Sequence, residues 1–263
     1  MNVLAALARR DFLIARSYRL PFVADVSWGV IDVVLYYFVS KVVGPEPGAD
    51  LQGAPSYFAF ALAGILVALV IESATSEIAG RIRDEQLTGT LELLGAQPVR
   101  DGQLALGYAA FPLAFAVARV AVYLAVAIVV LGLSTADTDW LGVVVMLVAS
   151  GAAFLGLGIL AAAATIVFKQ GEAIVDAAIF AMVFVSGALF PLEVLPDWLQ
   201  AIGRVMPTSF AFEGMRDALF SGGDWAVEAM TLVAIGVVGV PLAVLVFGAA
   251  VRHAKRAGTL AEY

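Results

Sequence analysis

The 263-residue chain has no cysteine, a single histidine, and charge on only 14% of its residues. Without cysteine there are no disulfides, thiolate metal sites or cysteine nucleophiles. With only His253, set in a basic tail, imidazole metal sites and histidine-containing triads are excluded as well. No G-x-x-x-x-G-K-[ST] occurs, and Lys41, Lys169 and Lys255 lack a glycine-rich approach. The chain therefore has no phosphate-cradling loop and is not expected to hydrolyse ATP by itself. No cytoplasmic loop carries the acidic cluster that would hold magnesium for a membrane-embedded transferase. A net charge of -7 argues against nucleic acid as a partner.

What is there in abundance is apolar. Hydrophobic residues make up 62% of the chain and mean hydropathy is +0.96, against about 45–50% apolar in an ordinary soluble domain. A membrane span takes about 20 apolar residues. Six runs meet that need: 20–43, 57–79, 103–133, 140–168, 172–189 and 227–251. The fifth is the shortest, and the third has length to spare for tilt or a kink at Pro112. The fold class predicted is an all-α membrane protein, with residues 1–263 as a single domain and no internal repeat.

Charge asymmetry orients it. One set of ends carries Arg9, Arg10, Arg16, Arg19, Arg81, Arg83, Arg100, Lys169, Arg252, Lys255 and Arg256. The opposite loops hold only Lys41, Arg204 and Arg216 among many acids. Six crossings and the positive-inside rule place both termini in the cytoplasm. No removable signal peptide is expected, and the first span would serve as its own insertion signal. Residues 1–19 read as a helix in the membrane interface. Val3, Leu7, Ile14 and Tyr18 share a face, Arg9 and Arg16 lie opposite to meet lipid phosphates, and Asp11 spoils the apolar side. The alternative is a positively charged leader that only sets topology.

Between the second and third spans lies a polar segment, 81–100, able to take a push from a soluble partner and pass it to two spans at once. Leu87, Leu91 and Leu94 form an apolar stripe expected to face the bundle, and Glu77–Arg81 and Arg81–Glu85 are i,i+4 pairs that favour helix. Gly89 and Gly95 weaken that helix and Pro98 ends it. A solvated loop with helical character is the bland alternative. The second irregular segment, 190–220, is too polar to span, and Pro191, Pro196 and Pro207 divide it. Trp198, Phe210 and Phe212 suit headgroup depth. Polar backbone at that depth favours two short re-entrant helices, with an ordinary outer loop as the alternative.

Both segments carry a resemblance. The stretch 85–98, EQLTGTLELLGAQP, resembles the loop after the second span of ABC-2 type exporter permeases, through Glu85, Gly89, Thr90, Leu91, Glu92, Leu93, Leu94 and Pro98. The outer stretch is similar to that family's signature through Ser186, Gly187, Phe190, Pro191, Leu195, Pro196, Trp198, Pro207, Glu213 and Arg216. The resemblance implies a coupling helix seated in a cleft of an ABC ATPase subunit, with Glu85, Thr88, Gly89, Thr90, Leu91 and Glu92 at the contact. It also implies an outer re-entrant gate containing Pro191, Pro196, Trp198, Pro207, Glu213 and Arg216. The permease would work with two copies of the ATPase, beside a second permease copy or a homologue, in the lipid of the cell membrane. No cofactor is expected on this chain, since ATP and magnesium would sit on the partner ATPase. The cargo implied is amphiphilic: a drug, a lipid or a lipid-linked glycan. An ion-coupled secondary transporter is the alternative, but its paired half-repeats and midplane acids are not evident beyond Asp32.

Charges inside spans are functional suspects. Arg119 lies near the middle of the third span and Asp32 near that of the first. The working hypothesis pairs them; the alternative sends Arg119 to the outer interface and Asp25 to the inner one. Glu72 and Glu77 are expected at the cytoplasmic interface. Gly151, Gly156, Gly158 and the alanine run at 161–164 are expected to pack helices closely.

Overall fold

The computed structural model describes residues 3–43, 51–90, 99–168 and 171–257. Every regular element among these is helical. In chain order they are α1 (Val3–Ser17), α2 (Arg19–Val43), α3 (Tyr57–Ala74), α4 (Ser76–Leu87), α5 (Asp101–Val129), α6 (Trp140–Val167), α7 (Gly171–Val185), α8 (Asp197–Val205), α9 (Pro207–Arg216) and α10 (Ala226–Ala257). A 3-10 turn at Leu192–Val194 precedes α8, and a π turn at Asp217–Ser221 follows α9.

Five stretches are long and apolar enough to cross a membrane: Phe22–Val43, Tyr57–Leu87, Gly102–Val129, Trp140–Val167 and Ala226–Arg256. The fifth expected span is different. α7 has 15 residues, about 22 Å at 1.5 Å per residue, against about 30 Å of hydrocarbon. Gly187 takes φ +75, a left-handed conformation that ends helices. Residues 172–189 are therefore a short helix followed by a turn.

The second run is split rather than continuous. Ser56 caps α3 by accepting a hydrogen bond from Ala59 N at 3.2 Å. At the far end the Thr75 hydroxyl donates to the Ile71 carbonyl at 2.6 Å. Its backbone leaves helical values (φ -122, ψ -80), so α4 begins afresh at Ser76. α3 is the most enclosed of the long helices, set against α5, α6 and α9.

Lipid is as apolar as a protein core, so helices in it associate by close backbone approach. A Cβ on Gly158 would lie 1.9 Å from the Ala74 carbonyl oxygen, and one on Gly156 would lie 2.9 Å from the Gly239 carbonyl carbon. These glycines let α6 touch α3 and α10 backbone to backbone. One apolar core, including Leu62, Leu66, Tyr123, Met146 and Phe212, fills the middle of the bundle. A second, including Leu7, Ile78, Ile82, Tyr108, Ile159 and Phe247, lies at the α1–α4 end.

α1 forms, and the residues expected to share its apolar face differ in exposure. Leu7 is buried, while Ile14 and Tyr18 are exposed. Asp11, expected to spoil the apolar side, is only 4% exposed because two arginine side chains reach it. At the opposite end Asp139 caps α6, its Oδ1 accepting from Leu141 N at 3.0 Å and Gly142 N at 3.2 Å. Its Oδ2 accepts from Trp225 Nε1 at 2.8 Å. The bond from Trp225, with those from the helix N–H groups, holds this carboxyl below the usual carboxylate range.

Candidate functional site

The tip of α4 is built by long-range ion pairs, not the local ones the spacing suggests. Arg81 Nη1 donates to Asp11 Oδ2 at 2.6 Å, and Arg10 donates from Nε to Asp11 Oδ1 at 2.9 Å. Arg10 Nη1 also reaches Glu85 Oε1 at 2.6 Å. Burial pulls the Arg10 guanidinium down, but Asp11 and Glu85 more than offset it and leave it above its ordinary value. Glu77 turns the other way, to Ser73 at 2.8 Å and to Arg119. Neither expected i,i+4 pair forms, because partners on α1 and α5 satisfy the same charges in a drier setting.

Glu85 is accordingly buried. One carboxylate oxygen takes Arg10 and the other accepts from the Thr90 hydroxyl. It points into the protein and is not part of the exposed surface expected of a contact residue. What the tip exposes is Thr88 and Gly89, with Thr90 half-buried beside them. Thr88 folds back, its hydroxyl donating to the Asp84 carbonyl at 2.8 Å. Gly89 takes φ +70, and a Cβ added there would meet nothing within 4 Å, so its requirement is conformational rather than steric. Leu87 is 59% exposed; the faces buried on α4 belong to Ile78, Ile82, Glu85 and Gln86. Leu91, Glu92, Leu94 and Pro98 lie outside the described residues.

Deeper in, Arg119 is buried and multiply bound. Nη1 donates to Asp25 Oδ2 at 3.0 Å. Nη2 donates to Ser73 Oγ at 2.7 Å and to Glu77 Oε1. Its guanidinium carbon sits 4.7 Å from the Phe115 ring centroid. Asp32 is not its partner. Asp25 lies seven residues earlier on α2, nearer the α4 end where Glu77 also reaches in, so the pairing is one of three helices rather than two. Asp32 instead lines a cavity of about 420 Å³ with Asp25, Trp28, Tyr36, Glu72, Arg119 and Tyr123, and Gly64, Ala188 and Leu189 line it too.

The turn at Gly187 and Ala188 is held by Arg216. The side chain is 1% exposed and donates from Nη2 to the carbonyls of Gly187 at 2.8 Å and Ala188 at 3.0 Å. From Nη1 it donates to Gln52 Oε1 at 2.6 Å. The guanidinium carbon stands 3.6 Å from the Phe60 ring centroid. Prolines punctuate as expected: Pro191 precedes the 3-10 turn, Pro196 precedes α8, and Pro207 opens α9. Ser186 and Thr208 hydrogen bond to each other, and the Ser209 hydroxyl donates to the Gly203 carbonyl at 2.6 Å, tying α9 to the end of α7 and to α8. Glu213 is half-buried. Trp198 is 65% exposed, but Phe212 is fully buried in the core rather than turned outward, because α9 turns that face inward onto α3 and α6.

The sequence profile of ABC-2 type transporters matches residues 3–220, taking in the α4 tip as well as α8 and α9. The chain belongs to the ABC-2 type transporter family. No curated protein matches the sequence. ABC-2 membrane domains are permease components, separate from the ATPase domain, and work with an ABC ATPase. Several features of this ABC-2 permease have no counterpart in the sequence reading: Arg10, Asp11 and Arg81 as a lattice, Asp25 and Ser73 around Arg119, and Gln52 on Arg216. The signal for Asp11 was present, since an acid on an apolar helix face calls for a buried cation. For Gln52 there was none.

Proposed function

We propose that the chain is the transmembrane half of an ATP-driven exporter, carrying an amphiphilic drug, lipid or lipid-linked glycan out of the cytoplasm. ATP and magnesium are bound and hydrolysed on a separate ABC ATPase, present in two copies, and a second permease copy or homologue completes the path. In this reading both termini are cytoplasmic and the protein resides in the cell membrane. α7 with the turn after it makes the fifth crossing, and residues 190–220 form a re-entrant segment on the outer side. Residues 3–17 lie in the inner interface.

The observation that carries the proposal is the construction of the α4 tip. Thr88 and Gly89 are presented to solvent, while the residues just behind them are bolted to α1 through Glu85, Arg10, Asp11 and Arg81. Load applied at the tip therefore reaches α1 and α5 instead of dissipating in a loop. In this scheme Thr88, Gly89, Thr90, Leu91 and Glu92 meet the ATPase, and Glu85 acts behind them as a positioning residue. Gly187, Ala188 and Arg216 keep the outer end shut.

Co-purification with a candidate ABC ATPase, followed by measurement of ATP hydrolysis, tests the reading. The expected result is a stable complex with stimulated hydrolysis. The double substitution Gly89→Ala with Glu92→Gln should preserve membrane insertion yet separate hydrolysis from transport. Normal coupling in that variant would discard the contact assignment, and uphill transport by the purified chain alone would discard the proposal.

A further inference from the structure

Among the described residues, the cavity between α2, α3 and α5 is lined by more carboxylates than cations. Asp25, Asp32 and Glu72 line it and Glu77 lies beside it, and Arg119 is the one cation among its described lining residues. Arg119 is taken by Asp25 and Glu77. Among the described residues, Asp32 and Glu72 line the cavity with neither a hydrogen bond nor an ion pair on their carboxylates. An acid within a membrane span is costly unless something of opposite charge meets it.

The remaining wall is aromatic. Trp28, Tyr36 and Tyr123 line it. Tyr123 is 3% exposed, and its hydroxyl makes no hydrogen bond to the described residues. That hydroxyl lies where a Cβ on Gly29 would come within 1.8 Å, so the α2 backbone is cut back to seat it. A volume of about 420 Å³ falls in the range of small-ligand sites, roughly 300–1,000 Å³. Aromatic faces beside unpaired carboxylates are the chemistry that recognises an organic cation, through ring quadrupoles and direct charge. A neutral glycan has no use for the carboxylates, and an anionic headgroup would be repelled by them.

We propose that this cavity binds hydrophobic organic cations, amines or onium ions, with the positive centre facing Asp32 and Glu72 and the apolar body against Trp28, Tyr36 and Tyr123. The assignment rests on the permease reading above and names the substrate class within it. Gly64, Ala188 and Leu189 also line the cavity, beside the turn that Arg216 secures, so a ligand seated there lies next to the proposed outer closure.

The test is equilibrium dialysis of the purified full chain in detergent against tetraphenylphosphonium and its anionic isostere tetraphenylborate, with empty micelles subtracted. The unmodified protein should bind the cation at least tenfold more tightly than the anion. Asp32→Asn with Glu72→Gln should weaken cation binding at least tenfold while eluting from size exclusion as the unmodified protein does. Equal binding of the two probes by the unmodified chain overturns the proposal whether or not the variant folds, and so does undiminished cation binding by a folded variant. The ATPase assay reads the opposite end of the molecule. A chain that associates with and stimulates its ATPase but does not prefer the cation loses only the cation assignment. A chain that prefers the cation but recruits no ATPase loses the permease reading instead.

Discussion

Replacing Asp11 with asparagine removes one negative charge from the lattice that joins α1 to α4. The carboxylate receives Arg81 at 2.6 Å and Arg10 at 2.9 Å and is almost wholly buried. Hydrogen bonds to charged partners contribute about 1.5–3 kcal/mol each. Asparagine retains one acceptor oxygen, and the side chains of Arg81 and Arg10 are 26% and 37% exposed, so water recovers part of the loss. A net cost of about 2 kcal/mol follows. At roughly 2–4 °C per kcal/mol for a chain of about this size, Asp11→Asn should lower the melting temperature of the purified protein by about 4–8 °C. The sharper reading comes from a cycle with Arg81→Gln. If the pair is real, the double variant should be less destabilised than the sum of the singles by about 1–2 kcal/mol. Strictly additive melting shifts, or an Asp11→Asn protein that melts with the unmodified one, would refute the reasoning.

The other predictions concern distinct sites. Asp25→Asn should lower thermal stability by about 1–2 kcal/mol, since it is bound to Arg119, whereas Asp32→Asn should leave the melting temperature within about 0.5 kcal/mol of the unmodified protein; the reverse order would restore the Asp32–Arg119 pair. Gly158→Ala pushes a methyl group to 1.9 Å from the Ala74 carbonyl oxygen and should cost about 3 kcal/mol or more, read as lost monodisperse protein on size exclusion. Arg216→Lys cannot reproduce a planar group that serves two carbonyls and Gln52 while lying over Phe60; a loss of about 2 kcal/mol in a thermal melt is expected. Asp139 has its carboxyl held low in the folded protein, so its contribution is present above the ordinary carboxylate value and lost as pH falls through the folded one. The melting difference between Asp139→Ala and the unmodified chain should therefore be largest near neutral pH and close below about pH 4.

Much of the fold was legible because hydropathy reports burial in lipid or protein alike. The long apolar runs became α2, α3, α5, α6 and α10 with small shifts at their ends, and the prolines marked the breaks between α7, α8 and α9. The same physics explains what was missed. Lipid and core are equally apolar, so no pattern distinguishes the buried Phe212 from the exposed Trp198 or shows that Leu87 faces outward. Charge spacing has a similar degeneracy. Glu77, Arg81 and Glu85 are correctly spaced for one another, yet each has a better-placed partner far away in sequence. Arg119 was recognisable as needing an acid, and two on α2 met the requirement equally well until the register of α2 against α5 was known. Gly187 stands out in the sequence by its place in a motif, but only its positive φ shows why the helix before it is cut short.

The interruption at Thr75 divides one 31-residue rod into an upper shaft and a lower crank. Its pivot is seated against Gly158, where only a glycine leaves room for the Ala74 carbonyl. The crank of 12 residues is about 18 Å long at 1.5 Å per residue, so swinging it through about 10° displaces its far end by about 3 Å. The shaft above, hemmed in by its neighbours, would hardly stir. In the proposed scheme a modest tug at the tip would become torque at a single hinge, and Glu77, which anchors Arg119, rides on the first turn beyond it.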